Sequence, residues 1–237
     1  MTTEIDIIQE AIERVERERS LLSIEQRRLQ EFREAVSRTT VATSNTSANS
    51  SVDLVEMYRE TVMDTPDFEK AYNETLKESL EHEFSPSSAE AILSDSQLSQ
   101  KNKRDLLVEI NTAIDRRENL SSILEQEKES LERIHIELTD IRESMRALPT
   151  CSFQEHSFEE LLDLCGAYDD LEQRCERLLK NRQQHLHSTS THIESVNQYL
   201  YNDLDSSFPG LSAIATTVDA INSSRKDTSP EIPALSA

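Results

Sequence analysis

Apolar residues recur along this chain at the spacing of a helix face, most regularly over Lys103–Leu148. Steps of three and four pick out Leu106, Ile110, Ala113, Arg117, Leu120, Leu124, Glu127, Leu131, Ile134, Leu138, Ile141, Met145 and Leu148, and all but Arg117 and Glu127 are apolar. A repeat of about 3.5 residues held over that length predicts a helix that lies along a partner. At about 1.5 Å per residue it runs to roughly 70 Å. A narrow stripe on so long a helix needs another surface against it. Pro149 stops the helix. Ser157 with Glu160 reads as a capping box that starts another. Its stripe runs Leu161, Leu164, Tyr168, Leu171, Cys175, Leu178 and Arg182, then shifts by one four-residue step to Leu186, Thr189, Ile193, Val196 and Leu200, ending near Asp205. Such an inserted step is a stutter, which relaxes a supercoil locally. Two long helices of similar length with a short joint predict an antiparallel hairpin over residues 100–205.

The remaining segments are shorter. Residues 1–37 read as a stalk helix with Ile8, Val15, Leu22, Leu29 and Val36 on its inner face. Its second seam turns polar at Arg19, Gln26 and Arg33. Glu10–Arg14 and Glu13–Arg17 are i,i+4 pairs in the favourable order. Residues 38–51 are rich in Ser, Thr and Asn with little to bury, and read as a flexible linker. Residues 52–99 carry Val52, Val55, Tyr58 and Val62, then Phe68, Tyr72, Leu76, Leu80 and Phe84, then Ala89, Ile92 and Leu93. Thr65-Pro66 and Ser85-Pro86 each read as an N-cap followed by proline at the first helical position, with Glu90 placed to box Ser87. These features predict a small helical head of three short helices. Phe208-Pro209-Gly210 breaks the chain before a tail helix within 206–223, carrying Leu211, Ile214, Val218 and Ile221. Residues 224–237 read as disordered. The predicted fold class is all-α: an elongated coiled-coil stalk with an antiparallel helical hairpin and a small helical head, the tail helix landing beside the head.

Composition narrows the function. Only 2 of 237 residues are Gly, which excludes Gly-rich phosphate cradles. A net charge of −21 opposes binding to nucleic acid and to anionic membrane surfaces. Seven Lys stand against 18 Arg. Excess acid with few lysines fits either a cytoplasm of molar salt, where screening acts over a few ångströms, or an ordinary acidic coiled coil. Cys151, Cys165 and Cys175 show no C-x-x-C spacing and follow no secretory signal, so they read as reduced thiols in a cytoplasmic protein. No window is apolar enough to span a membrane.

Candidate chemistry is sparse. Glu132-x-x-His135 is half of a di-iron motif and has no second copy. His185, His187 and His192 with Cys175 form the densest ligand-type cluster, yet only His185 and His192 share a face, which leaves a zinc site half built. Cys151 and His156 flank the hairpin turn, where little holds a thiolate against an imidazole. Asp203-x-Asp205-x-Ser207 lacks the central Gly and closing Glu of a calcium loop. Arg117 and Glu127 occupy core-type positions. Stems packed with heads in solvent is the preferred reading there over a register-fixing role. Tyr58, Phe68, Tyr72 and Phe84 mark where a partner surface is to be sought, a small core being the plainer account.

Three stretches carry a resemblance. They are Arg59-Glu60-Thr61-Val62-Met63-x-x-Pro66-x-Phe68-x-x-x-Tyr72 with Leu76-x-x-Ser79-Leu80-x-x-Glu83-Phe84, Asn181-Arg182-Gln183-Gln184-His185, and Tyr199-Leu200-Tyr201-x-Asp203-Leu204 with Pro209 downstream. Together they resemble an uncharacterised family of haloarchaeal helical proteins, a domain of unknown function, over most of the chain. The resemblance implies life in high salt and brings no activity, ligand or catalytic residue. Gly210 stands where a bulky apolar residue is expected after Pro209. The sequence therefore predicts a non-enzymatic scaffold or protein-interaction protein that takes a protein partner or self-associates through its seam. It names no catalytic, cofactor or metal residue and no small-molecule substrate. The alternative is a metal-binding helical bundle or an enzyme using the histidine cluster or the head.

Overall fold

The computed structural model describes residues 4–39, 53–64, 74–94, 98–149, 157–188 and 193–228. They form eight helices: α1 (Glu4–Arg38), α2 (Leu54–Thr61), α3 (Leu76–Glu83), α4 (Pro86–Leu93), α5 (Gln100–Ala147), α6 (Phe158–Ser188), α7 (Ile193–Tyr201) and α8 (Pro209–Thr228). The fold is all-α, and long helices pack against one another. The chain divides into two compact units. One comprises residues 1–17 and 123–237, the other Glu18–Ser122, so α1 and α5 contribute a stretch to each.

In the Glu18–Ser122 unit the inner face of α1 (Leu29, Phe32, Val36) packs with Tyr58, Leu80, Phe84 and Ile92 of the short helices and with Leu106, Ile110 and Ala113 of α5. The rings of Phe32 and Tyr58 meet edge to face with centroids 5.3 Å apart, and Phe84 lies 6.0 Å from Tyr58. Two of the four head aromatics are thus ordinary core, as the plainer account held; Phe68 and Tyr72 lie outside the described residues. Tyr58 also shares a 2.9 Å hydrogen bond with Ser79, and burial pushes its phenol well above the ordinary range.

Caps set the head's element boundaries. Asp53 accepts from the amides of Val55 and Glu56 to start α2. Thr75 and Glu78 form a full capping box at α3. A helix there starts at Leu76, later than the aromatic spacing predicts, and the expected Thr65-Pro66 start falls outside the described residues. Ser85 caps α4 with Pro86 in the first turn, as expected, and accepts from Ser88; the cap is Ser85 and not Ser87. Glu109 of α5 binds both the amide and the hydroxyl of Ser85, at 2.9 and 2.7 Å, pinning that cap to the long helix. Lys103 donates to the carbonyls of Ser37 and Thr39, both at 2.7 Å. There it meets the negative end of α1.

Arg117 overturns the solvent-reaching expectation. Its Nε donates to Glu25 at 2.8 Å and its two terminal nitrogens grip Glu83, so one guanidinium joins α1, α3 and α5. The side chain is 16% exposed.

In the other unit, Arg174 reaches Glu137 and Asp140 while Arg182 reaches Glu127. Rising numbers on α6 against falling numbers on α5 make the pair antiparallel, as predicted. Ser157 and Glu160 form the expected box: Glu160 accepts the Ser157 amide at 2.7 Å and returns its own amide to the hydroxyl at 3.3 Å. Helix α6 ends at Ser188 and α7 begins at Ile193; the predicted four-residue step from Arg182 to Leu186 lies within α6, and residues 189–192 beyond it are outside the described set.

Helix α8 packs along α6, and its contacts correct one expectation. Ser224 donates to Met145 Sδ at 3.9 Å, while Arg225 pairs with Asp169 at 2.9 Å and Glu172 at 3.3 Å. These contacts lie along the hairpin. They also explain why the helix runs to Thr228 where disorder was expected from 224. Arg225 and Lys226 sit in the last turn, where cations meet the helix dipole. Gly210 faces Ile134 and Arg182 so closely that an added Cβ would lie 3.1 Å from Ile134 Cδ1 and 3.3 Å from Arg182 Nε. Even a Cβ at 210 requires the Ile134 or Arg182 side chain to give by a few tenths of an ångström, whereas glycine fits as it stands.

Candidate functional site

The most concentrated chemistry lies between α5, α6 and α7. Glu127 is 1% exposed. Its Oε1 accepts from Arg182 Nη2 at 2.7 Å and from the Tyr201 hydroxyl at 3.0 Å. Its Oε2 accepts from Arg182 Nη1 at 2.7 Å, with His185 Nε2 at 3.2 Å. Arg182 Nη1 also donates to Ser130 Oγ at 3.0 Å. Helical spacing assembles the set: Ser130 follows Glu127 by three residues and His185 follows Arg182 by three, so each pair shares a face. Asn197, one turn before Tyr201 on α7, is fully buried, and its amide meets no hydrogen-bond partner among the described residues.

Burial alone would raise the Glu127 carboxyl. The donors from His185, Arg182 and Tyr201 overcome it and hold the group at about 2. Tyr201 moves the other way, pushed far above the ordinary phenol range by burial and then by the charge of Glu127. With both carboxylate oxygens filled and the phenol holding its proton, the cluster fastens three helices and offers no free acid, base or nucleophile. Glu127 therefore also contradicts the expectation of a head in solvent.

The other sequence candidates are scattered. Cys175 is buried, and desolvation pushes its thiol to about 11. His187 Nδ1 bonds the Gln183 carbonyl within its own helix at 2.7 Å. Glu132 pairs with Lys128 at 3.5 Å, away from any joint role with His135. Asp203 lies 3.9 Å from Arg14. Cys151, His156 and His192 fall outside the described residues. Among the described residues no group of three or more His, Cys, Asp or Glu is placed to hold a metal ion.

An open groove of about 810 Å³ runs beside the buried cluster, between α5 and α6. Ser130 and Arg182 reach it from below; Arg133, Ile136, Glu137, Arg174 and Arg177 form its walls. Ile136 is 65% exposed. Arg133 spends its Nε on the Glu129 carbonyl of its own helix. Arg174 uses the single nitrogen Nη2 for both Glu137 and Asp140, at 3.0 and 2.5 Å. No hydrogen bond or ion pair of Arg177 occurs among the described residues. Guanidinium donors thus stand open in a chain of net charge −21. The sequence signal for this groove is a change of sign along α6. Glu159, Glu160, Asp163, Asp169, Asp170 and Glu172 come first, and Arg174, Arg177, Lys180 and Arg182 follow, with Glu176 the one acid among them. Helix-dipole compensation alone accounts for such an order, so it singles out no surface until the groove is seen.

These features define an all-helical protein whose charged cluster is a buried joint and whose open polar surface is an arginine-walled groove. The chain belongs to the family described as a domain of unknown function, DUF7260, whose model matches residues 6–225. Comparisons with curated proteins and with solved structures give no match. Among the described residues no helix is long and apolar enough to cross a membrane.

Proposed function

We propose that this is a non-catalytic helical protein that works by binding another polypeptide, with the α5–α6 groove as its contact surface. The observation that carries this reading is the groove itself. Arg133, Arg174 and Arg177 hold unspent donors around the exposed Ile136, in a chain that is otherwise strongly acidic. Arginine beside an exposed apolar residue is the composition of protein-binding surfaces. The neighbouring Glu127 cluster is read as structural, since both Glu127 oxygens and both terminal nitrogens of Arg182 are turned on cluster partners. The long helices serve as a coiled-coil scaffold that carries the groove, and the acidic surface suits a haloarchaeal cytoplasm of high salt, where carboxylates keep the protein hydrated.

The test is a fluorescence anisotropy titration with a labelled helical peptide carrying Glu and Leu on one face. The wild-type protein is expected to bind it, and Arg133→Glu with Arg177→Glu to weaken binding by about tenfold or more, the scale of losing about 1.4 kcal/mol. Neither residue belongs to the buried cluster. Binding that is absent in the wild type, or equal in the variant, overturns the reading.

A further inference from the structure

Resting on that reading, we propose that the occupant of the groove is a second copy of this chain: the acidic first half of its α6, docked antiparallel so that each copy fills the other's groove.

The argument starts from one outward stripe of α6. Glu159, Leu162, Asp163, Gly166, Asp170, Gln173, Arg177 and Asn181 are all exposed. Their steps of three and four keep them, with the half-buried Arg174, on one side of the helix. The stripe is acidic and apolar in its first half and basic in its second, and the basic half is one wall of the groove. A helix with opposite charges at its two ends is complementary to itself when turned around. Under a two-fold axis, residue i meets j and j meets i. An axis beside the middle of α6 sets Asp163 against Arg174 and Glu159 against Arg177 of the second copy, and satisfies both grooves at once.

Two further features fit this pairing. Leu162 is 55% exposed on the acidic half and Ile136 is 65% exposed on the groove wall. Arg174 reaches Glu137 and Asp140, which fixes Ile136 near the level of Arg174. The reversed Leu162 arrives at that level, so the two exposed apolar side chains meet. Gly166 is the second feature. Glycine weakens a helix interior relative to alanine, so a glycine there calls for a packing reason. Among the described residues there is none: an added Cβ at 166 meets no atom within 4 Å. Gly166 lies close to the axis, where two helices approach most nearly and a missing side chain lets their backbones close up.

The experiment is light scattering with sedimentation equilibrium over a protein and potassium chloride titration, on the full chain and four variants, with circular dichroism as a check on folding. The wild type is expected to be a dimer. Arg174→Glu with Arg177→Glu, and separately Glu159→Arg with Asp163→Arg, are expected to weaken the dimer by about tenfold or more. The four substitutions combined restore it, because the charges are exchanged and the pairing is kept. Gly166→Leu leaves every charge in place and is expected to strengthen the helix while weakening association, a pair of opposite effects that a purely structural glycine does not give. A wild type that stays monomeric, or a dimer indifferent to both charge reversals, overturns the inference. A monomer that still binds the acidic peptide through Arg133 and Arg177 leaves the groove as a docking site for an acidic partner protein, so failure of the self-pairing is told apart from failure of the groove.

Discussion

At the scale of single residues, the Glu127–Arg182 pair tests how much a buried ion pair is worth. Removing one partner leaves an uncompensated charge, and a loss of about 3–5 kcal/mol follows. Replacing both with apolar groups of similar size removes the desolvation cost along with the attraction. Arg182→Met is therefore expected to destabilise strongly and Glu127→Leu with Arg182→Met to recover most of that loss, read by denaturant unfolding; a double variant no better than the single one contradicts this account. The acid limb carries the same signature. The Glu127 carboxyl is held at about 2 against an ordinary 4.5. Its contribution is present above the ordinary value and is lost as the pH falls from there toward 2. Glu127→Gln should flatten the melting temperature of the folded protein over that window. Asn197 is the complementary case. Its buried amide has no partner among the described residues, so Asn197→Leu is expected to stabilise by about 1–2 kcal/mol, visible as a raised melting temperature.

At the scale of elements, the heptad pattern made the inner faces legible: Leu106, Ile110, Leu124, Leu131, Leu138 and Ile141 are all buried as the spacing predicts. Direct cap signals were legible too, as at Ser157–Glu160 and Ser85-Pro86. What periodicity does not carry is which residue lies across the interface. It places Glu127, Arg117 and Arg182 on inner faces but says nothing of a carboxylate opposite a guanidinium, and so the reading sent the Arg117 and Glu127 heads toward solvent. Tyr201 and Ser130 were invisible as parts of a cluster because their pairing depends on the fold of α5 onto α6 and α7. The extension of α8 to Thr228 rests on Arg225 finding Asp169 and Glu172, a contact between segments far apart in the chain. Gly166 offers the element-scale prediction: with open space around its Cβ position, Gly166→Ala is expected to stabilise the isolated chain by about 0.5–1 kcal/mol through helix propensity alone, measured by thermal unfolding at dilution.

At the scale of the whole molecule, the dominant quantity is the charge of −21. Self-repulsion of that size destabilises the compact state, and salt screens it. The melting temperature is therefore expected to climb as potassium chloride rises toward molar concentrations; a flat profile tells against the high-salt reading. The distribution of tyrosine has an optical consequence. The chain has no Trp and 5 Tyr, so tyrosine dominates its near-ultraviolet absorption and emission. Tyr58 is buried against Ser79 in one compact unit and Tyr201 against Glu127 in the other, where Tyr168 is buried too. A phenol donating to a buried carboxylate and a phenol sharing a bond with a hydroxyl sit in different electric fields, so their absorption bands differ. With Tyr201→Phe and Tyr58→Phe as single subtractions, the native chain becomes its own two-channel spectrometer, each channel reporting the melting of one unit without an added label.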